Sequence, residues 1–348
     1  MRILVIGHAG EREPGRRFYS VDRKLANGFV RNGHSVLFFS DRDVARAASL
    51  FRSSRAGRGA AQQKFREALR NYAPHLIVLM HSSLIATQTL AEARPARIAQ
   101  VCVDPLFREV NAELLTDRAR VVDATFVTTA GAALGRFSTA SNVSAFIPNP
   151  VDPSVEELRN FERDDLACDV FFAANASGDR VDDSRRATPR LMKAAGLACG
   201  FHGFDGAPGL YGAAYFEGLA QARIGLNLNS DRAETASMQA PEEELYLYSS
   251  DRVSQLLGCG LSVLSFEVNR LMELFEPERE MVFAATPEAM VEAALRLKRD
   301  DATRRRVAEA GWRKAHEAFN ERLVAGFIEE VTFRRTLSHA YRWPTGLW

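Results

Sequence analysis

Ile147-Pro148-Asn149-Pro150-Val151-Asp152-Pro153 sets three prolines within six residues near the middle of the chain. Each proline removes a backbone donor and pushes the residue before it to an extended conformation, so the passage reads as a connector between two folded bodies. A length of 348 residues supports that division, because it exceeds one ordinary core and leaves about 150 residues for each of two domains. The expected boundaries are 1–150 for the first domain and 151–321 for the second, with 322–348 returning to the first as a helix and tail.

Upstream of the connector, apolar runs of strand length recur at Arg2–Ile6, Ser35–Phe39, Leu76–Met80, Ile98–Val103, Ala124–Thr128 and Ser144–Ile147. Val21, Leu25 and Phe29 fall at i, i+4 and i+8 before Asn32-Gly33, and Phe65, Leu69 and Tyr72 form a second stripe before Pro74. Each stripe predicts a helix packed on a sheet. Downstream, a second series runs through Cys168–Ala173, Gly200–Gly203, Ile224–Leu228, Ser262–Phe266 and Met281–Ala284. Alternating strands and helices mark a parallel sheet covered by helices, so the expected class is α/β with two Rossmann-like domains. The tail from Asn320 is helical in pattern and ends in Tyr341, Trp343, Pro344 and Trp348.

Lys plus Arg (45) and Asp plus Glu (44) nearly cancel, which leaves no global attraction to nucleic acid. Only Ile3 to Ile6 form an apolar run at the start, so no signal peptide is read, and no stretch reaches the roughly 18 apolar residues of a membrane span. Cys102, Cys168, Cys199 and Cys259 lack CxxC spacing, which indicates neither a zinc site nor a disulfide framework and fits a reducing cytoplasm. Gly7-His8-Ala9-Gly10 lacks the full Gly-x-Gly-x-x-Gly of dinucleotide binders, which argues against a nicotinamide enzyme.

The most telling segment lies in the second half. Ser250-Asp251-Arg252-Val253-Ser254-Gln255-Leu256-Leu257-Gly258-Cys259-Gly260, followed by the strand Leu261 to Leu264, resembles the donor-site helix and strand of group 1 glycosyltransferases, in particular their CgeB-like branch. Leu271 to Pro277, Glu280 to Phe283, Val307 to Gly311, Ile224 to Asn229 and the Ile147–Pro153 connector resemble the same branch. The resemblance is concentrated between about residues 200 and 320 and implies the GT-B architecture, two Rossmann-like domains facing across a cleft, with a nucleotide sugar held by the second. It also implies retention of anomeric configuration. One departure stands out: where many of these enzymes carry a Glu-x7-Glu pair, this chain has Leu247 and Gln255. An amide at Gln255 still offers a donor and an acceptor to ribose hydroxyls.

Transfer from a nucleotide sugar requires stabilising the departing diphosphate. Without a metal, that falls to helix N-termini, backbone N–H groups and Arg or Lys. The turn after Cys168–Ala173, with Asn175 and Arg180, is one candidate; an ordinary βα turn is the plainer reading. Ser249-Ser250-Asp251-Arg252, with Ser or Asp as N-cap and Arg252 in the first turn, is the other, against which stands a simple helix cap with a solvated Arg. Glu273 is expected to begin the helix after Ser262–Phe266, where it either touches ribose or merely favours the helix dipole. His202 closes another strand of this domain. In the first domain His8, His81 and Asp104 all follow strands and are candidates for catalytic work on the sugar or acceptor, although turn and cap roles are commoner for such residues.

No cofactor is expected beyond the donor itself, UDP- or GDP-linked, and the acceptor class is a glycan, a lipid-linked molecule or a protein. Arg12, Arg16, Arg17, Arg23 and Lys24 form a basic cluster interrupted by Glu11, Glu13 and Asp22, read as a solvated face. The tail with Trp343 and Trp348 reads either as a peripheral membrane contact at the inner face or as a helix folding back onto the first domain. Two rival readings share the architecture: a nucleotide-sugar 2-epimerase, and a non-catalytic sugar-nucleotide-binding module. Oligomeric state is not legible.

Overall fold

The computed structural model of the protein describes residues 1–80, 82–104, 106, 109–174, 184–229 and 249–348. They divide into two compact units, Met1–Pro150 with Glu321–Trp348, and Val151–Asn320.

The first unit holds a wholly parallel sheet of β1 (Arg2–Ile6), β2 (Ser35–Phe39), β3 (Leu76–Met80), β4 (Arg97–Cys102), β5 (Ala124–Val127) and β6 (Val143–Phe146), in the order β2-β1-β3-β4-β5-β6. Its described helices are α1 (Val21–Arg31), α2 (Asp41–Ala47), α3 (Arg58–Tyr72), α4 (Thr87–Ala91) and α5 (Glu109–Arg118). Every strand lies within one residue of the span read from the sequence. The reason is burial on both faces: Leu76 to Met80 are all buried, so the strand reads as a continuous apolar run rather than an alternation. Leu4, Ile6, Ile77, Leu79 and Ile98 share one core with Phe65 of α3.

The second unit repeats the plan with five parallel strands, β7 (Cys168–Ala173), β8 (Cys199–His202), β9 (Ala222–Asn227), β10 (Ser262–Phe266) and β11 (Val282–Ala284), in the order β11-β10-β9-β7-β8. Around it lie α6 (Ser184–Ala194), α7 (Ala213–Ala220), α8 (Asp251–Gly258), α9 (Pro287–Arg299) and α10 (Asp301–Ala318). Phe172, Ile224, Leu226, Leu264 and Val282 form its main core with Met290 and Leu297 of α9.

A last helix, α11 (Glu321–Thr332), packs back in the first unit against α1. Gly28 makes that approach possible: a Cβ there would lie 2.2 Å from the Glu321 carbonyl oxygen. Arg31 pairs with Glu321, and His34 Nε2 lies 2.7 Å from Glu329. The aromatic tail continues on the same body. Trp343 is buried against Phe327 and Tyr341, and Trp348 exchanges backbone hydrogen bonds of 3.0 Å with Ser144 of β6. Of the two readings of the tail, folding back is the one observed, and Trp343 is not available to a membrane.

The connector contains no helix, and Ile147 to Asp152 are buried. Pro150 accepts from Lys24 Nζ at 3.3 Å, and Val151 N donates to Phe319 at 2.9 Å. Lys24 is fully buried and therefore leaves the solvated basic cluster in which the sequence placed it. Among the described residues, no helix is long and apolar enough to cross a membrane.

Candidate donor site

In open parallel sheets, ligands gather at the carboxyl ends of the strands where the strand order reverses. In the second unit this reversal falls between β7 and β9, since the chain leaves β7 for β8 on one side and then crosses to β9 on the other. Arg252, in the first turn of α8, lies at this point. Its Nη1 donates to the carbonyl of Leu228, just past β9, at 3.0 Å. Its guanidinium carbon stands 5.1 Å from the ring centroid of Phe172, near the end of β7. The planar group is thereby oriented by one hydrogen bond and one aromatic face, and it keeps further N–H donors for a ligand.

Why α8 begins here is legible in its neighbours. Ser250 occupies the N-cap position, but its hydroxyl does not cap the helix. Instead Oγ donates to Asn227 Oδ1 at 3.0 Å, and Asn227 Nδ2 donates to Ser265 Oγ at 2.9 Å. All three side chains are buried, so the start of α8 is tied to the ends of β9 and β10. Gly225 lets the helix settle on the sheet, because a Cβ there would sit 2.6 Å from Leu256 Cδ2.

Gln255 is placed differently from the ribose contact considered for it. It is buried, and its Oε1 accepts from the Tyr215 hydroxyl at 2.7 Å. Tyr215→Phe is expected to leave that buried amide oxygen short of a partner and to lower stability by about 1–3 kcal/mol. Nucleotide affinity should stay within twofold, roughly the range of unconnected sites; titration of the variant with UDP checks this, and a large loss would return Gln255 to the ligand.

Glu273 does not begin an α-helix. It ends the second of two short 3-10 turns, Glu267–Asn269 and Leu271–Glu273, and is ion-paired with Arg270. The left-handed backbone of Arg270 breaks the helical path the sequence suggested. His202, at the end of β8, lies 5.9 Å from the Phe171 ring, and burial lowers its pKa. Phe171 and Phe172 point to opposite faces of β7, so His202 shares a face with Phe171 and Arg252 with Phe172. Asn175, Arg180 and Leu247 lie outside the described residues.

The first unit has its own reversal, between β1 and β3. His8 follows β1 there; His81 lies outside the described residues; Asp104 stands two residues past β4, its carbonyl near Cys102 Sγ at 3.5 Å. The sequence missed what shapes the His8 loop. Asp22, buried in the first turn of α1, accepts from His8 N at 2.7 Å, and Asp43 accepts from Gly10 N at 3.1 Å. Gly7 is required by the same contact, since a Cβ would meet Asp22 Oδ2 at 2.6 Å. An acidic residue in a helix first turn gave no sign of this role, because it satisfies the dipole equally well.

Burial, then Arg17 and Arg42, push the pKa of His8 below its ordinary 6.5, with Asp43 opposing. The unfolded chain therefore takes up a proton here before the native state does, and stability is lost as pH falls from about 6.5. His8→Gln should flatten the decline of melting temperature below that pH. A curve parallel to the parent's would remove His8 from the account.

Residues 185–329 match the glycosyl transferase-like family model. The whole chain superposes on GT-B enzymes. The sucrose-phosphate synthase of Thermosynechococcus elongatus shares 12% identity at a TM-score of 0.63, covering 96% of this chain and 98% of that one. Anabaena HepE, in complex with UDP and glucose, shares 15% at 0.55, covering 96% and 100%. An α-glucosyltransferase in complex with UDP shares 11% at 0.63, again covering 96% and 100%. No curated protein matches by sequence. The fold is GT-B, two parallel sheets with their helices, and the chain is a glycosyltransferase.

Proposed function

We propose that the second unit binds a UDP- or GDP-linked sugar, and that the sugar passes with retention to an acceptor held by the first. The observation that carries this is the placement of Arg252 across the strand-order reversal, between the ends of β7 and β9. A diphosphate set at the start of α8 meets the guanidinium and the helix's N-terminal amides together, and both stabilise negative charge as it develops on departure. This counter-charge needs no metal. The neighbours in complex with UDP favour uridine as the base.

On the first unit, His8 is kept neutral by burial and adjacent arginines, the form able to accept a hydrogen bond from an acceptor hydroxyl and position it, while in a retaining transfer the hydroxyl's proton leaves on the departing phosphate. Acceptors with a sugar hydroxyl fit this role, whether free glycan, lipid-linked or on protein. The test is a product assay with UDP-sugars, with and without a glycan acceptor. A new glycosidic product supports transfer. An epimer formed from donor alone would replace it with epimerisation, and bound but unchanged donor would leave a binding module.

A further inference from the structure

The most exposed of the large apolar side chains among the described residues are a consecutive pair, Leu50 at 98% and Phe51 at 90% exposure. They cap the loop between α2 and α3 in the first unit, and that loop is built to hold them out. Arg52 N donates to Ser49 O at 2.9 Å, Gly57 N to Ser53 O at 3.1 Å, and Ser53 N to Ser49 Oγ at 3.3 Å. Arg52 takes a left-handed conformation just after the pair, with φ at 50°. Gly57 then brings α3 onto α2, since a Cβ there would lie 1.8 Å from the Ala45 carbonyl oxygen. Hydrophobic residues held out by a hydrogen-bonded scaffold rather than folded under it mark a surface that something covers.

The charge around the pair says what. From Val44 to Arg66 the chain carries Arg46, Arg52, Arg55, Arg58, Lys64 and Arg66 and no acidic residue. Arg46 is spent on Asp43, Lys64 on Glu67 and Arg66 on Glu92, which leaves Arg52, Arg55 and Arg58 exposed without a carboxylate among the described residues. Two apolar side chains projecting from a cationic rim match a bilayer interface, with apolar tips among the acyl chains and guanidinium groups at anionic headgroups. We propose that Leu50 and Phe51 dock the first unit on an anionic membrane surface. The inference stands apart from the donor site and is tested without any nucleotide.

The probes are vesicles of phosphatidylcholine mixed with phosphatidylglycerol, and of phosphatidylcholine alone, co-sedimented with the full chain. Binding is expected to the mixed vesicles only, weakening with salt. Leu50→Ser with Phe51→Ser should abolish it with an unchanged melting temperature, both side chains being exposed. Replacing Arg52, Arg55 and Arg58 by Gln should weaken binding by about fivefold per charge removed. Equal binding by the Ser variant, equal binding to neutral vesicles, or no binding by the parent would each overturn the proposal. So would a change of oligomeric state in the Ser variant without lipid, which would assign the pair to a protein interface.

Discussion

Arg252→Ala is expected to weaken UDP binding by about 10- to 100-fold, the range set by removing one charge-assisted hydrogen-bonding group from a phosphate. The guanidinium is held by the Leu228 carbonyl and the Phe172 ring, so little ordering remains to be done when a ligand arrives. Arg252→Lys should recover only part of the affinity, because an ammonium keeps the charge but cannot stack flat on Phe172 or donate as a planar fork. Some stability is lost as well, since the alanine leaves the Leu228 carbonyl without this donor. Titration calorimetry of the three proteins with UDP separates the effects. Equal affinities would take Arg252 out of the site.

Gly28→Ala should damage the seating of α11 on the first unit. An added methyl would stand 2.2 Å from the Glu321 carbonyl oxygen and 3.0 Å from the Ala325 Cβ, so α11 must move away from α1. The expected cost is about 1–3 kcal/mol, after any gain in helix propensity, or a fall of roughly 2–12 °C in melting temperature for a unit of this size. Gly59 is the control, lying in α3 with nothing within 4 Å of its would-be Cβ. Gly59→Ala should be neutral or stabilising by up to about 1 kcal/mol. Equal melting temperatures in the two variants would deny that Gly28 is the contact on which α11 seats.

Much of this fold was readable because it depends on period. Val21, Leu25 and Phe29 announced α1, and all three are buried. The fully buried run Leu76–Met80 announced a central parallel strand. The helix α8 was singled out through its resemblance, and Arg252 lies in its first turn. What failed was mostly where one side chain has two equally good partners. A Ser or Asp was expected to cap α8, and Ser250, at the N-cap position, instead donates to Asn227; Gln255, weighed as a ribose contact, accepts from Tyr215, forty residues away in sequence. Lys24 looked like one more surface cation, and only the fold brings the Pro150 carbonyl to it. The tail's tryptophans carried an amphipathic signal that a membrane and the flank of β6 satisfy alike. Leu50-Phe51 has no period at all, so its exposure emerges only from the scaffold of the loop.

The central claim is that the second unit binds the nucleoside diphosphate of a sugar donor. A ligand that binds only the native state raises the melting temperature, by about 2.7 kcal/mol of added stability at a hundredfold excess over Kd. The decisive measurement is the thermal unfolding of the full chain with UDP, GDP and their sugars. The account predicts a clear upward shift with UDP or GDP that is largely lost in Arg252→Ala. Unchanged melting with every one of these nucleotides would contradict it.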